Sequence, residues 1–169
     1  MSNIRPDIQN LLKHWRESIP EDRLAHLVRD VARAQMKALQ RRLSQHAVSF
    51  GHWTFLRILW TQDGLTQKEL SDLAGVMEPT TYSAVRAMEE AGFIERRQMD
   101  GNRKNMHVFL TPAGLSLEKK LVPLAEEVNA ISVRGLSEKN ITLLRKCLLS
   151  IIENLALEEE GDVNDVDAP

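Results

Sequence analysis

The sequence is poor in cysteine and in aromatic residues. Cys147 is the single cysteine among 169 residues, so neither a disulfide within the chain nor a cysteine-based zinc cluster is possible. It lies among leucines, which favours a small buried hydrophobe over a redox sensor. Aromatic residues make up 5% of the chain, and proline and glycine are few. This composition favours a helix-rich fold.

The sequence also lacks a long apolar run. Its most apolar stretch, Phe55–Trp60, is interrupted by Arg57 and is far shorter than the roughly 20 residues that span a bilayer. The first residues are polar and contain no apolar signal-peptide core. We therefore expect a cytoplasmic protein without a membrane partner.

Positive charge is not in excess, since 22 basic residues stand against 24 acidic ones for a net charge of −2. Six of the acidic residues follow Leu157, in a segment (158–169) that we expect to be a disordered, solvated tail. Without them the chain has 22 basic and 18 acidic residues. The overall charge therefore neither supports nor excludes a nucleic-acid partner.

No motif for catalysis, metal binding or cofactor binding is evident. The five histidines form no i, i+4 pair on one helix and have no neighbouring cysteines, although such spacings are typical of zinc sites. The chain has no glycine-rich phosphate loop and no motif for a nucleophile with its base. We expect neither an enzyme nor a protein that needs a metal or cofactor.

Hydrophobic periodicity predicts helices at both ends of the chain. Two are expected at 6–17 and 21–46, and two more run from Pro112 to about 134 and onward from Ser137. A further helix at 51–60 is apolar on all sides, which predicts that it is buried. A buried Arg57 on that helix would require an anionic partner.

The centre of the chain predicts two short helices followed by a β-hairpin. Residues 66–69 (TQKE) form a capping box that opens the first helix, and Gly75 ends it. Pro79 suits the first turn of the second helix. Strands at 93–98 and 104–110 flank a turn at 100–102. This order is that of a winged helix-turn-helix within a mainly α fold.

A helix-turn-helix reads DNA by placing its second helix in the major groove. The helix from Pro79 has an apolar face with Val85 and Met88 and an opposite polar face with Arg86, which is long enough for a guanine or a phosphate contact. The basic hairpin suits the electronegative minor groove. The candidate DNA contacts are Thr66, Gln67, Pro79, Thr80, Tyr82, Ser83, Arg86, Arg96, Arg103 and Lys104.

Four segments resemble the MarR family of bacterial regulators: 64–70 (GLTQKEL), 74–81 (AGVMEPTT), 88–97 (MEEAGFIERR) and 110–114 (LTPAG). The resemblance implies an obligate homodimer, held by helices in 1–47 and 112–157, with a winged DNA-binding lobe at 48–111. It also implies a pocket that commonly binds small aromatic acids. The effector-binding candidates are Arg33, His52, Trp53 and Arg57, with an aromatic acid or its coenzyme A thioester as ligand.

The wing departs from the family pattern, in which an Asp orients an Arg two residues later at the tip. Those positions hold Asn102 and Lys104 here, with Arg103 between them and Asp100 upstream. Either Asp100 orients Arg103, or Lys104 enters the minor groove without a carboxylate partner. Glu78, close to where the phosphates would lie, either caps the following helix or lowers affinity for non-cognate sites.

Two functions remain open at this point. The first is a ligand-responsive repressor that binds an inverted repeat as a homodimer and is released by its effector. The second is a winged-helix protein-interaction module that does not bind DNA. The two differ in salt dependence, because phosphate contacts make DNA affinity fall with rising salt.

Overall fold

The structure is a computed structural model that describes the backbone of residues 9, 12–13, 24–99 and 102–166, and the side chains of these residues except 99, 102–105 and 159–166. The chain divides into two compact units, 1–128 and 129–169. Most of the helix expected at 6–17 lies outside the described residues, of which Gln9, Leu12 and Lys13 are helical.

Helices account for most of the described residues, and three short strands form one small sheet. The elements in chain order are α1 (Leu24–Leu43), a 3-10 turn (Ser44–His46), α2 (Phe50–Thr61), β1 (Leu65–Thr66), α3 (Gln67–Ala74), α4 (Glu78–Glu90), β2 (Ile94–Met99), β3 (Asn102–Leu110), α5 (Pro112–Ser132) and α6 (Glu138–Val166). The expected mainly α fold with a helix pair and a hairpin is confirmed.

The sheet is antiparallel, with strand order β1-β3-β2. The hairpin of β2 and β3 pairs Ile94 with Leu110 and Arg96 with Val108, and its register is irregular at Gln98. The sequence did not predict β1, which is only two residues long and pairs Leu65 with Val108. Its pairing fastens the start of the helix-turn-helix to the wing.

Helices α1, α2, α3, α4 and α5 and the sheet all contribute residues to one apolar core within the first unit. Val85 and Met88 of α4 and Leu70 of α3 are fully buried in it, and burial of such side chains contributes about 1.5–3 kcal/mol each. The other fully buried apolar side chains of the described residues are Leu43, Val48, Leu56, Leu59, Ile94, Val108 and Leu121. The core therefore fixes one face of both helices of the pair.

A single polar link crosses this core. Ser71 and Thr81 are the two buried polar residues of the described part of the chain, and Ser71 Oγ lies 2.8 Å from Thr81 Oγ1 and 3.0 Å from the carbonyl oxygen of Gln67. Buried polar groups must be paired to avoid a desolvation penalty. The link therefore favours one relative position of α3 and α4.

The predicted helix boundaries of the lobe are confirmed. Thr66 caps α3: the Glu69 amide donates to its hydroxyl oxygen, while the Glu69 carboxylate accepts from the Thr66 amide in return. Gly75 ends α3 with φ of +63°, a conformation that favours glycine. Pro79 lies in the first turn of α4. The expected caps at Thr111 and Ser137 are also present.

Three expectations were wrong. Arg57 is exposed rather than buried, because α2 covers the core with Trp53, Phe55, Leu56 and Leu59 and leaves its other side accessible. Cys147 is exposed, on α6. The acidic segment expected to be disordered is helical from 158 to 166, as part of α6. Extending an existing helix adds one hydrogen bond per residue and avoids the nucleation cost.

The described helices do not include one that is long and apolar enough to cross a membrane.

Gly114 allows α5 to pack tightly against the base of the wing. A Cβ atom at this position would lie 2.0 Å from the carbonyl oxygen of Phe93, and backbone atoms cannot rotate away as a side chain can. The Gly114 carbonyl also accepts a hydrogen bond of 3.0 Å from Trp60 Nε1 of α2. This glycine therefore holds α2, α5 and the wing base together.

We predict that Gly114→Ala destabilises the protein by about 1–3 kcal/mol, the usual cost of overpacking. Gly51→Ala is the matched control: its Cβ would meet only Ser49 Oγ, at 3.7 Å, so the change should be neutral or stabilise by up to about 1 kcal/mol. Urea unfolding followed by circular dichroism measures both. Equal stability of the two variants would contradict the packing role of Gly114.

Candidate nucleic-acid interface

Helix α4 has the two faces that the sequence predicted. Thr81, Val85 and Met88 are buried. The exposed residues include Pro79, Thr80, Tyr82, Ser83 and Arg86, all of them predicted DNA contacts. Ser83 donates a hydrogen bond of 3.0 Å to the Pro79 carbonyl oxygen, which directs this hydroxyl along the helix. The exposed face combines short hydroxyls, one aromatic ring and one guanidinium group.

The start of α4 differs from the starts of α2, α3, α5 and α6. Its N-cap is Met77, which makes no capping hydrogen bond, whereas hydroxyl groups of Ser or Thr cap α2, α3, α5 and α6. Glu78 is the first residue of the helix and does not cap it, so the capping alternative is wrong. Its carboxylate instead lies at the positive end of the helix dipole.

Arg86 forms an ion pair with a residue of its own helix. Its Nε donates to Glu90 Oε1 at 2.9 Å, and both side chains are 65% exposed. An exposed i, i+4 ion pair contributes only about 0.3–0.5 kcal/mol. A phosphate or a base edge could therefore replace Glu90 as the partner of Arg86 at little cost.

Arg96 is held more firmly, by Glu89 at the end of α4. The Glu89 carboxylate accepts hydrogen bonds from Arg96 Nε (3.0 Å), from Arg96 Nη2 (2.6 Å) and from the Arg96 amide (3.2 Å). The Arg96 guanidinium lowers the pKa of Glu89, and Glu89 raises the pKa of Arg96. The predicted DNA contact Arg96 thus joins β2 to α4 within the lobe.

A second cation lies on an aromatic ring of the wing. The Arg97 guanidinium carbon is 3.9 Å from the centre of the Phe109 ring, and a Cβ on Gly64 would lie 2.6 Å from Phe109 Cε1. Arg97 pairs with His107 in the sheet, so Phe109 is its diagonal neighbour on the same face. Arg97 was not among the predicted contacts, although hairpin register would have indicated this pair.

The remaining DNA candidates lie at the start of α3 and at the wing tip. The Thr66 hydroxyl is occupied by the capping box, and the Thr66 hydrogen bonds lower the pKa of Glu69. Gln67 follows it, with an Oε1 atom that is buried and has no partner in the described part of the chain. The side chains of Arg103 and Lys104 lie outside the described residues, so the choice between them stays a prediction.

A cavity of about 380 Å³ lies between α2 and α3. Its described lining residues are Phe50, Trp53, Thr54, Arg57, Ile58, Thr61, Gln62, Leu73 and Ala74. The Arg57 guanidinium is 5.9 Å from the centre of the Trp53 ring, within the range of a cation–π contact. One wall is therefore aromatic and cationic, and the other belongs to the first helix of the helix-turn-helix.

The structure brings together only two of the four predicted effector residues. Trp53 and Arg57 line the cavity, but Arg33 and His52 are not among its described lining residues. Arg33 is exposed on α1. The His52 ring contacts Phe93 edge-to-face with 6.5 Å between ring centres, and burial lowers the pKa of His52. No group of three metal-ligating side chains occurs among the residues whose positions are described.

Known proteins with similar sequences and folds are DNA-binding regulators. Residues 48–106 match the model of the MarR family. The chain is similar to the HTH-type transcriptional regulator TtmR of Methylorubrum extorquens (strain PA1), with 24% identity over 123 residues that cover 73% of this chain and 63% of that regulator. The chain thus spans less than two thirds of the length of this relative.

Solved structures share the fold. A MarR transcriptional regulator from Methanosarcina mazei Go1 superposes with a TM-score of 0.73 at 21% identity, covering 85% of this chain and 96% of that one. A MarR-family regulator from Listeria monocytogenes, in complex with a 26mer DNA, has a TM-score of 0.72 at 26% identity and covers 81% and 91%. These similar proteins are transcriptional regulators, in agreement with the expectation of a protein that is not an enzyme.

The ion pair of Glu89 and Arg96 yields a test by pH. The pKa of Glu89 lies below its ordinary value of 4.5, so its contribution to stability is present above about pH 4.5 and is lost as the pH falls through the lowered pKa. We predict that Glu89→Gln lowers stability at pH 7 and that the difference from the native protein shrinks below pH 4.5. The effect should stay under about 1 kcal/mol, since both side chains are partly solvated.

Glu90→Gln is the matched control on the same helix, because the exposed Glu90–Arg86 pair should contribute almost nothing. Denaturant unfolding at a series of pH values measures both variants. A difference between Glu89→Gln and the native protein that stays constant from pH 7 to pH 3 would contradict the assigned role of the Glu89 carboxylate.

Proposed function

We propose that this chain is a winged-helix transcriptional regulator of the MarR family, that it represses transcription by binding an inverted repeat as a homodimer, and that a small aromatic anion releases it. The observation that carries the proposal is the exposed face of α4, which the core and the Ser71–Thr81 link hold beside a β-hairpin. A similar regulator from Listeria monocytogenes was solved with DNA, which supports DNA as the partner.

In this proposal α4 enters the major groove and the hairpin lies along the minor groove. Arg86 exchanges Glu90 for a guanine or a phosphate, while Arg96 acts by holding the wing on α4 and contacts DNA only at the edge of the site. The remaining proposed contacts are Thr66, Gln67, Pro79, Thr80, Tyr82, Ser83, Arg103 and Lys104. The lobe comprises residues 48–111.

The proposed dimer uses the apolar surfaces of the flanking helices, in 1–47 and 112–157. Both helices expose apolar residues at helical spacing. On α1 these are Leu24, Leu27, Val28 and Val31, and on α6 they are Leu144, Leu148, Ile152 and Leu155. Exposed apolar surface at this spacing is typical of helices that pack against a partner. A two-fold axis would then place two recognition helices about 34–36 Å apart and require half-sites one turn apart.

The proposed effector site is the cavity between α2 and α3. Its volume of about 380 Å³ lies in the usual range for small-molecule sites. Arg57 supplies a cation for a carboxylate, Trp53 supplies a ring face, and the coenzyme A part of a thioester would extend into solvent. Because Leu73 and Ala74 of α3 form the opposite wall, a ligand would favour a position of α3 that fits DNA less well. The proposed location is the cytoplasm, with the DNA.

One observation favours a second candidate function, a protein-interaction module without DNA binding. Arg86 and Arg96, the two predicted contact arginines whose side chains are described, are both paired with glutamates of α4, and Arg97 lies on the Phe109 ring. This leaves little free positive charge to attract phosphates. Salt dependence separates the two functions, since affinity for a protein partner lacks the steep dependence of phosphate contacts.

We predict that selection from random DNA with the purified protein enriches an inverted repeat with half-sites about one turn apart. Affinity for that site should fall linearly with salt on logarithmic axes. Arg86→Ala should weaken binding by about 1–3 kcal/mol and relax specificity, whereas the control Arg134→Ala, exposed after α5, should leave it unchanged. A folded dimer that enriches no sequence at low salt would favour the interaction module.

We also predict that benzoate or phenylacetate derivatives weaken operator binding about fivefold or more, the range of typical allosteric couplings. Arg57→Gln should remove this response without changing affinity in the absence of ligand, while the exposed control Lys119→Gln should keep it. Uncharged benzamide should not change operator binding by the native protein or by either variant. Fluorescence anisotropy of a labelled operator measures the binding of the native protein and of both variants. An unchanged response of Arg57→Gln would exclude the cavity as the effector site.

A further inference from the structure

Met77 differs from the N-cap residues of α2, α3, α5 and α6. At the start of α2, α3, α5 and α6 a Ser or Thr hydroxyl accepts a backbone amide hydrogen bond. At the start of α4 the same position holds Met77, which makes no such bond. An N-cap without a side-chain acceptor costs about 1 kcal/mol of helix stability. The loss occurs at the helix that is expected to enter the major groove.

The side chain of Met77 does not recover this loss by burial. It is 76% exposed, more than any other large apolar residue of the described chain. A local rule that is broken without a compensating contact within the fold is expected where function requires the residue. The residue therefore has a role outside the isolated lobe.

The position of Met77 limits what that role is. N-terminal residues of a recognition helix are the ones that reach base edges in the major groove. The apolar feature on that surface is the 5-methyl group of thymine, which apolar groups such as Ala, the Thr methyl group and Phe contact. Glu78, at the helix start, and Glu90, which binds Arg86 in the free protein, place negative charge beside this face, so charge attraction does not account for recognition at the position of Met77.

We infer that Met77 is a specificity-determining residue that contacts a thymine 5-methyl group in each half-site of the operator. The inference rests on the proposed DNA binding. The flexible thioether chain suits such a contact because it adapts to a shallow apolar surface. At this position, a side chain that contacts a base thus replaces a side chain that would cap the helix.

The test uses the selected operator with single thymines replaced by deoxyuridine in both half-sites, which removes the methyl groups and keeps base pairing. At one thymine position, this replacement should weaken binding of the native protein by about fourfold per half-site, which is the effect on affinity of burying one methyl group. With two half-sites, the dimer should lose about 15-fold. Met77→Ala should bind the thymine operator correspondingly less well and show no further loss on the deoxyuridine operator. The control Leu115→Ala removes another exposed apolar side chain, on α5, and should respond like the native protein.

Met77→Ser separates the proposed role from folding. Because Ser restores the missing cap, this variant should have a higher midpoint of thermal unfolding and yet bind the thymine operator about 15-fold less tightly. A variant that gains stability and keeps its affinity would overturn the inference. So would a native protein that binds its operator but is insensitive to every thymine methyl group, although DNA binding itself would then stand. Absence of any DNA binding would overturn both.

Discussion

The hydrogen bond between Ser71 and Thr81 fixes the geometry on which the rest of the lobe depends. The surrounding contacts of Leu70 and Val85 are apolar and non-directional, so they permit small sliding of α3 against α4. The two buried hydroxyls lie 2.8 Å apart. If the helices slide, Ser71 keeps the Gln67 carbonyl oxygen of its own helix, whereas Thr81 loses Ser71 as its partner, and an unsatisfied buried group costs about 1–3 kcal/mol. The polar link thus converts a loosely specified helix pair into one with a defined exposed face.

The same helix carries the link and one wall of the cavity. Ser71 faces the core, whereas Leu73 and Ala74 line the space beside Trp53. In the proposed function, a ligand there would act on α3 close to the residue that sets its position relative to α4. In the proposed mechanism the effector therefore competes with a short-range, directional contact. This favours a switch between two discrete helix positions over a gradual deformation, as expected for a closely packed interior.

Local patterns predicted the lobe well, because its boundaries depend on neighbouring residues. The capping box at Thr66, the stop at Gly75 and the alternating residues of β3 all act within a few positions. The failures involve contacts between distant segments. Strand β1 exists only through pairing with Val108, the Glu89–Arg96 pair requires the packing of α4 on β2, and the exposure of Arg57 depends on which side of α2 meets the core. The missing cap at Met77 was visible in the sequence, but only once the helix start was known.

The charges and the apolar N-cap of α4 fit one strategy for recognition. Specificity is a difference between affinities, and phosphate contacts raise affinity for every sequence alike. Glu89 and Glu90 engage the nearest arginines, which reduces that common contribution. Short-range contacts such as those of Met77 and the hydroxyls then determine a larger share of the binding free energy. A net charge of −2 is therefore compatible with a DNA-binding protein whose affinity for non-cognate DNA is low.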